Sequence, residues 1–467
     1  MLRRVAVFAL CLSACGRRAP ESPRVAPEPR VDASVAARAV AADVPPPRRD
    51  APPTLTIPGG VAVTPLRGRV DRLRIASDGA RARIVAEVQT GRRETVAVTV
   101  AADGALSPTT LAWGVRDVRI TAASVRTGGT FGEVMFGGRR TGIDAQDFAA
   151  ANSFGLGAAR SGVMQLEVDE LVASDDGARW AAAAVAQRLA CFERECEGTD
   201  RTTTGMSYHS RDGYAVELLT PEGRGIRAVP LMEVMCDPAQ LGGQDENGES
   251  TATLVPSDQG GAPERCASVR TQRPTDVALA LRGATTVAVW RTSQGLWLRR
   301  VEGAVMPPPA TAPWIAGDVG APTLAVRGDH VVAVWAQRDT RRSPYTLRTA
   351  TMDLAHATQP LAPQVIATGP TSAFAPSLVD VGGRWMLAWM EGDDRVAIVR
   401  VGATWGALPE AAAHAVTVSA PGTNARDPEL AAGGAQAWIA WTEYPGGRRR
   451  DQGGAVVRAS PLGAPGT

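Results

Sequence analysis

Four times in its C-terminal part the chain returns to one pattern. Aligned on Val277, Pro322, Pro376 and Pro428, it has Leu two positions on, at Leu279, Leu324, Leu378 and Leu430. Six positions on stand Gly283, Gly328, Gly382 and Gly434, and thirteen positions on stand Trp290, Trp335, Trp389 and Trp441. The residue before each Trp is Val289, Val334, Ala388 or Ala440, small and apolar every time. The registers lie 45, 54 and 52 residues apart. Self-similarity at such a period marks a repeat architecture.

Each copy reads as β-structure. The Leu belongs to a short strand, the Gly to a tight turn, and runs such as Val331-Val-Ala-Val-Trp335 or Trp385-Met-Leu-Ala-Trp389 to a buried second strand. A polar turn follows, then a third strand: Leu296-Trp297-Leu298, Tyr345-Thr346-Leu347, Val396 to Val399, Ala455 to Val457. A weaker fourth strand leads into the next copy. Four strands per unit predict an all-β chain folded as a single β-propeller, with Trp filling the widening gap between blades. A pair of β-sandwiches would not require the same Leu, Gly and Trp in each unit.

The front half repeats more loosely. Arg72 to Gly79, Arg83 to Val88 and Thr95 to Val100 give the same strand, turn, strand, strand order. Asp117 to Thr121 with Phe131 to Phe136 suggests a second unit, and Glu170 to Gly177 with Trp180 to Ala186 and Tyr214 to Leu219 a third. The expectation is about seven four-stranded blades, six to eight being compatible with the spacing. Their starts fall near residues 71, 117, 168, 277, 322, 376 and 428. The gap from 168 to 277 is twice the repeat, room for an eighth blade or an insertion. Cys191, Cys196, Cys236 and Cys266 all lie in it, which favours an insertion around 190–270. An even number of cysteines in an exported chain predicts disulfides, in any of three connectivities, over a metal site or free thiols.

Export is read from the N-terminus. Met1-Leu-Arg-Arg4 is a short positive start, Val5 to Leu12 an apolar run too short to span a bilayer permanently, and Leu12-Ser-Ala-Cys15 follows. That tetrapeptide resembles the lipobox of bacterial lipoproteins, with Gly16 rather than Asp after the Cys. The resemblance implies a signal peptide over 1–14, a lipid anchor on Cys15, and a cell-envelope, outer-membrane location. Residues 15–55 read as the acylated Cys and a disordered linker rich in Pro, Ala and Arg. Nine Pro between Gly16 and Pro53, and no large apolar residue beyond Val, leave nothing to offset the entropy of ordering. At about 3 Å per residue such a tether reaches roughly 100 Å; it serves as a spacer or as filler. The propeller then occupies 56–467.

Charge removes one class of partner. Every basic residue is Arg, and residues 56–467 carry 41 Arg against 43 acids. A body so close to neutral has no global field to gather phosphate backbones, so no nucleic-acid partner is expected.

Motifs for chemistry are sparse. Ala173-Ser-Asp-Asp-Gly-Ala-Arg-Trp180 resembles the Asp-box of sialidase-type propellers, Ser-x-Asp-x-Gly-x-Thr-Trp. Asp175, Gly177 and Trp180 match, while Ala173 and Arg179 replace the Ser and Thr. The box is structural in that family and carries no catalytic residue over. Tyr208-His-Ser-Arg-Asp212 holds triad residue types too close together to converge, and reads as a solvated loop. Gln244 to Glu249 lacks a full calcium ladder and reads as a turn. No phosphate loop opens a helix. No cofactor, metal site or catalytic residue is predicted.

Two functions remain. One is a non-catalytic binding or scaffold propeller for protein or glycan in the cell envelope; the other is a divergent sialidase-like glycoside hydrolase. Missing motifs favour the first, and two facing carboxylates with an arginine cluster at the channel mouth would reverse that order. A binding rim is expected where second and third strands join: Arg291, Arg338, Asp339, Glu391, Asp393, Asp394 and Glu443. Charges in exposed turns also keep loops solvated without binding anything.

Overall fold

The computed structural model describes residues 61–65, 68–89, 93–108, 117–120, 124–125, 130–136, 139–144, 162–176, 178–192, 209–222, 225–235, 243–244, 250–251, 272–303, 312–354, 362–367, 371–393 and 396–463. Among these residues, seven antiparallel sheets of three or more strands succeed one another along the chain. Their first main strands are Arg69–Ser77, Asp117–Ile120, Gly162–Asp175, Val277–Arg282, Thr323–Arg327, Ser372–Val381 and Asn424–Gly433. Six of the seven starts expected from sequence fall inside these strands, and the other, at 322, lies one residue before its strand.

Successive first strands touch one another from the second sheet to the seventh, and the seventh touches the first. They are therefore the inner strands of a ring. The last sheet is completed out of chain order by hydrogen bonding: Val61–Pro65, from the start of the described chain, pairs antiparallel with Val456–Leu462, so that sheet runs 61–65, 456–462, 436–444, 424–433. A sheet completed by the first and last strands of the described chain, in a succession of antiparallel sheets of three to five strands, is the build of a β-propeller. We number its sheets as blades in chain order.

Packing explains why the repeat keeps its three residues. Trp290 sits in the core between the third and fourth blades, Trp335 between the fourth and fifth, Trp389 between the fifth and sixth, and Trp441 between the sixth and seventh. Each is buried on a second strand and plugs the gap towards the preceding blade. Leu279, Leu378 and Leu430 are buried in the same cores, and Leu324 packs against its own. The four glycines share one left-handed backbone, with φ of 56, 57, 60 and 60°. Each opens a two-residue hairpin, where a positive φ matches the twist of the flanking strands.

The third blade has long strands, Gly162–Asp175, Trp180–Phe192, His209–Glu222 and Gly225–Met235. Between Met235 and residue 272 the described residues form one small pair, Gly243–Gln244 with Ser250–Thr251. Cys191 stands on the second strand of that blade, opposite Val163 and His209. Cys15, Cys196, Cys236 and Cys266 lie outside the described residues.

Candidate functional site

The rim residues divide into groups. Arg291 pairs with Asp276 at 2.5 Å, and Arg338 with Asp318 at 2.6 Å. Each pair ties the end of a second strand to the link that enters the same blade. Asp339 takes Arg348 at 2.8 Å and Glu391 faces Arg400 at 3.7 Å. The Asp393 carboxylate accepts the Val396 amide within its own turn at 2.8 Å; Asp394 lies outside the described residues. Glu443 is placed differently from the exposed turn expected of it. It lies inside the strand Gln436–Tyr444, 1% exposed, and binds Arg458, the Trp441 indole and the Ala420 amide. Its backbone still follows the ladder, with Glu443 opposite Ala425 and Val456, so its side chain turns into the blade.

A second cluster forms at the seam between the seventh and first blades, on the inner strands. The strand Asn424–Gly433 carries a bulge between Arg426 and Glu429, and Arg69–Ser77 one between Val70 and Arg72. A bulge bends its strand and re-aims a side chain. Asp427, in the first of these, holds φ at 52°, the left-handed region. The sixth blade has its own bulge between Phe374 and Ser377, with Ala375 at φ 50°. The sixth and seventh blades thus share this backbone turn, and the seventh places a carboxylate on it.

Around Asp427 stand Glu429, Asp71, Tyr444 and three arginines. Glu429 Oε1 accepts Arg74 Nη1 at 2.8 Å across the seam. Arg450, from the loop joining the second and third strands of the seventh blade, donates to the Val70 carbonyl at 2.7 and 3.0 Å and to the Asp71 carbonyl at 3.0 Å. It stands 3.8 Å from Asp427 Oδ2. Arg426 donates to Asn424 Oδ1 and to the Asp393 carbonyl. Asp427 Oδ2 is inaccessible and has no hydrogen-bond partner among the described residues.

Electrostatics separate this group from surface carboxylates. Burial pushes the Asp427 carboxyl up; Arg450, Arg426 and Arg74 oppose the rise, and Asp71 adds to it. Burial raises Glu429 as well, with the neighbouring Asp427 charge reinforcing it against Arg74. The Tyr444 phenol is likewise raised, first by burial. Even so, 31% of the Asp427 side chain and 30% of the Glu429 side chain stay accessible. Carboxyls crowded by protein yet reachable by solvent can hold a proton and pass it to a bound molecule. Among the described residues no group of three His, Cys, Asp or Glu is arranged to hold a metal ion.

No motif marked this cluster. The signal lay in the repeat alignment: the position before Val277, Pro322, Pro376 and Pro428 is Asp276, Ala321, Ala375 and Asp427. Only the ring brings Asp427 to Asp71 and Arg74, some 350 residues earlier, where Arg74 meets Glu429.

Comparison with known proteins returns fold likeness alone. No family model matches the chain, and no curated protein matches its sequence. Among solved structures, an α-L-arabinanase of Penicillium chrysogenum complexed with arabinobiose aligns over 87% of this chain and 98% of its own, at 10% identity and a TM-score of 0.41. The α-L-arabinofuranosidase arb93a of Fusarium graminearum aligns over 87% and 98%, at 12% and 0.39. A Trypanosoma rangeli sialidase mutant displaying trans-sialidase activity aligns over 88% and 59%, at 7% and 0.37. Likenesses this remote assign no residue and no substrate; the fold rests on the ring and its closing sheet.

Proposed function

We propose that the seam cluster is the active centre of a glycan hydrolase, carried in the cell envelope on a lipid attached to Cys15. The observation that supports it is the meeting of two raised carboxyls, Asp427 and Glu429, with Arg74 and Arg426 of the inner strands and Arg450 of the adjoining loop. Hydrolysis of a glycosidic bond needs one carboxyl that keeps its proton and one that bears charge. Asp427, driven towards its protonated form by burial while part of its side chain stays reachable, is the acid that protonates the leaving oxygen. Glu429, held by Arg74, is the anionic member that faces the positive charge developing on the sugar. The bulge contributes by fixing the acid on a strand rather than a mobile loop.

A second reading, a binding or scaffold propeller without catalysis, draws on one feature: each arginine of the cluster is already engaged by protein groups. One assay separates the two. Reducing-sugar release from a panel of neutral and acidic polysaccharides is measured for the wild type and for Asp427→Asn. Release by the wild type that the variant loses by about a hundredfold or more supports hydrolysis, the scale of a removed general acid. Binding of a glycan with no release by either protein supports the scaffold reading.

A further inference from the structure

Two loops on the ring share a design that the seam site does not use. Both join a second to a third strand, so both open on the face where the links between blades gather. In the fifth blade the loop after Arg338 is pinned at its base. Arg338 Nε donates to Asp318 Oδ2 at 2.6 Å and Nη1 to the Arg341 carbonyl at 3.2 Å. Its guanidinium lies 4.7 Å from the Tyr345 ring centre, and the Tyr345 hydroxyl donates to Asp318 Oδ1 at 2.7 Å. Thr340 and Ser343 close the tip, hydroxyl to hydroxyl, at 2.7 Å.

In the seventh blade Arg450 is the anchor, through the Val70 and Asp71 carbonyls. Asn424 Nδ2 holds the Arg448 carbonyl at 2.9 Å, and the Arg449 amide donates to Gln452 Oε1 at 2.9 Å. Each loop therefore spends one arginine on the ring and holds its backbone still. Outside stand Arg341 with Arg342 on one loop, and Arg448 with Arg449 beside the exposed Asp451 on the other, all four arginines exposed and without an ion pair among the described residues. Between the two loops stands the turn of the sixth blade, where Asp393 is occupied with the Val396 amide.

We propose that these two loops form a docking surface for an anionic polysaccharide. A guanidinium is permanently charged and presents a planar fork that matches a carboxylate. Ordering the loop in advance removes much of the entropy that a long side chain and its backbone would otherwise lose on binding. The pairs are separate, with an acidic turn between them, on a body without net positive charge. That pattern fits a chain whose charges are spaced along sugar rings, and fits poorly the dense phosphate backbone of a nucleic acid.

The full chain, with its own N-terminus, is tested for binding to polygalacturonate and to dextran. The wild type is expected to hold polygalacturonate and not dextran, and to release it as salt screens the contact. Arg341→Ser with Arg342→Ser, and Arg448→Ser with Arg449→Ser, should each weaken binding by about tenfold, and the four together should abolish it. Arg282→Ser, which removes an exposed arginine beside the Gly283 hairpin on the opposite face, should bind as the wild type does. Equal binding to dextran, unchanged binding by the fourfold variant, or displacement of polygalacturonate by duplex DNA at equal charge concentration would overturn the proposal. So would a parallel loss in Arg282→Ser, which would make the effect one of total charge and not of these two loops.

Discussion

Asp427 and Ala375 occupy the same bulge in consecutive blades, at φ 52° and 50°, each just before the proline that begins its repeat. Because an alanine holds the same turn in the sixth blade, the conformation does not depend on the carboxylate. The charge can therefore be removed without disturbing the backbone, and Asn tolerates the left-handed region as well as Asp does.

Asp427→Asn should stabilise the protein at neutral pH. The sign follows from the raised folded pKa: the native state keeps the Asp427 proton to higher pH than the unfolded chain does. Between the ordinary carboxyl value and the raised one, the wild type loses stability as pH rises, and the variant lacks that loss. Urea unfolding across this range should show the two proteins converging in acid and the variant ahead at neutral pH. A difference that does not change with pH would remove the linkage.

The four repeat tryptophans should behave alike. Trp290, Trp335, Trp389 and Trp441 are all buried between blades, and truncating any one to Ala should cost about 3–5 kcal/mol. Denaturant midpoints at unchanged slope measure it. A loss under about 1 kcal/mol at two of the four positions would contradict a shared structural role.

Closure of the ring should depend on five residues near its start. A chain beginning at residue 56 keeps Val61–Pro65, and one beginning at 68 loses it, leaving the edge of Val456–Leu462 unpaired. The shorter chain should melt at lower temperature and associate through that edge. Calorimetry and size-exclusion chromatography test this; identical melting and a monodisperse peak for both chains would contradict it.

Cys15→Ser should release the protein from membranes or block its processing, if the Leu12-Ser-Ala-Cys15 segment directs acylation. Fractionation of expressing cells decides, and unchanged membrane attachment would end the lipoprotein expectation.

The fold was legible because its determinants are local and recur. Leu, Gly and Trp mark an inner strand, a hairpin and an interblade plug within fourteen residues, and the hairpin needs its positive φ every time. The site was not legible because its members are long-range. Arg74 and Glu429 stand 355 positions apart and meet only through the seam, and the bulge that turns Asp427 follows from strand register, which spacing alone does not show. Glu443 shows the same limit at short range. It follows Trp441 by two positions and so shares that residue's inward face, where Arg458 and the indole make it a satisfied buried acid.

The protonation state of Asp427 tests the central claim most directly. At a pH of about 5, where an ordinary aspartate is already ionised, infrared difference spectra of wild type minus Asp427→Asn should show the carbonyl stretch of a protonated carboxyl. Its disappearance on raising the pH should follow the decline of any sugar release. Spectra in which the wild type shows only carboxylate at that pH would contradict an acid held at the seam.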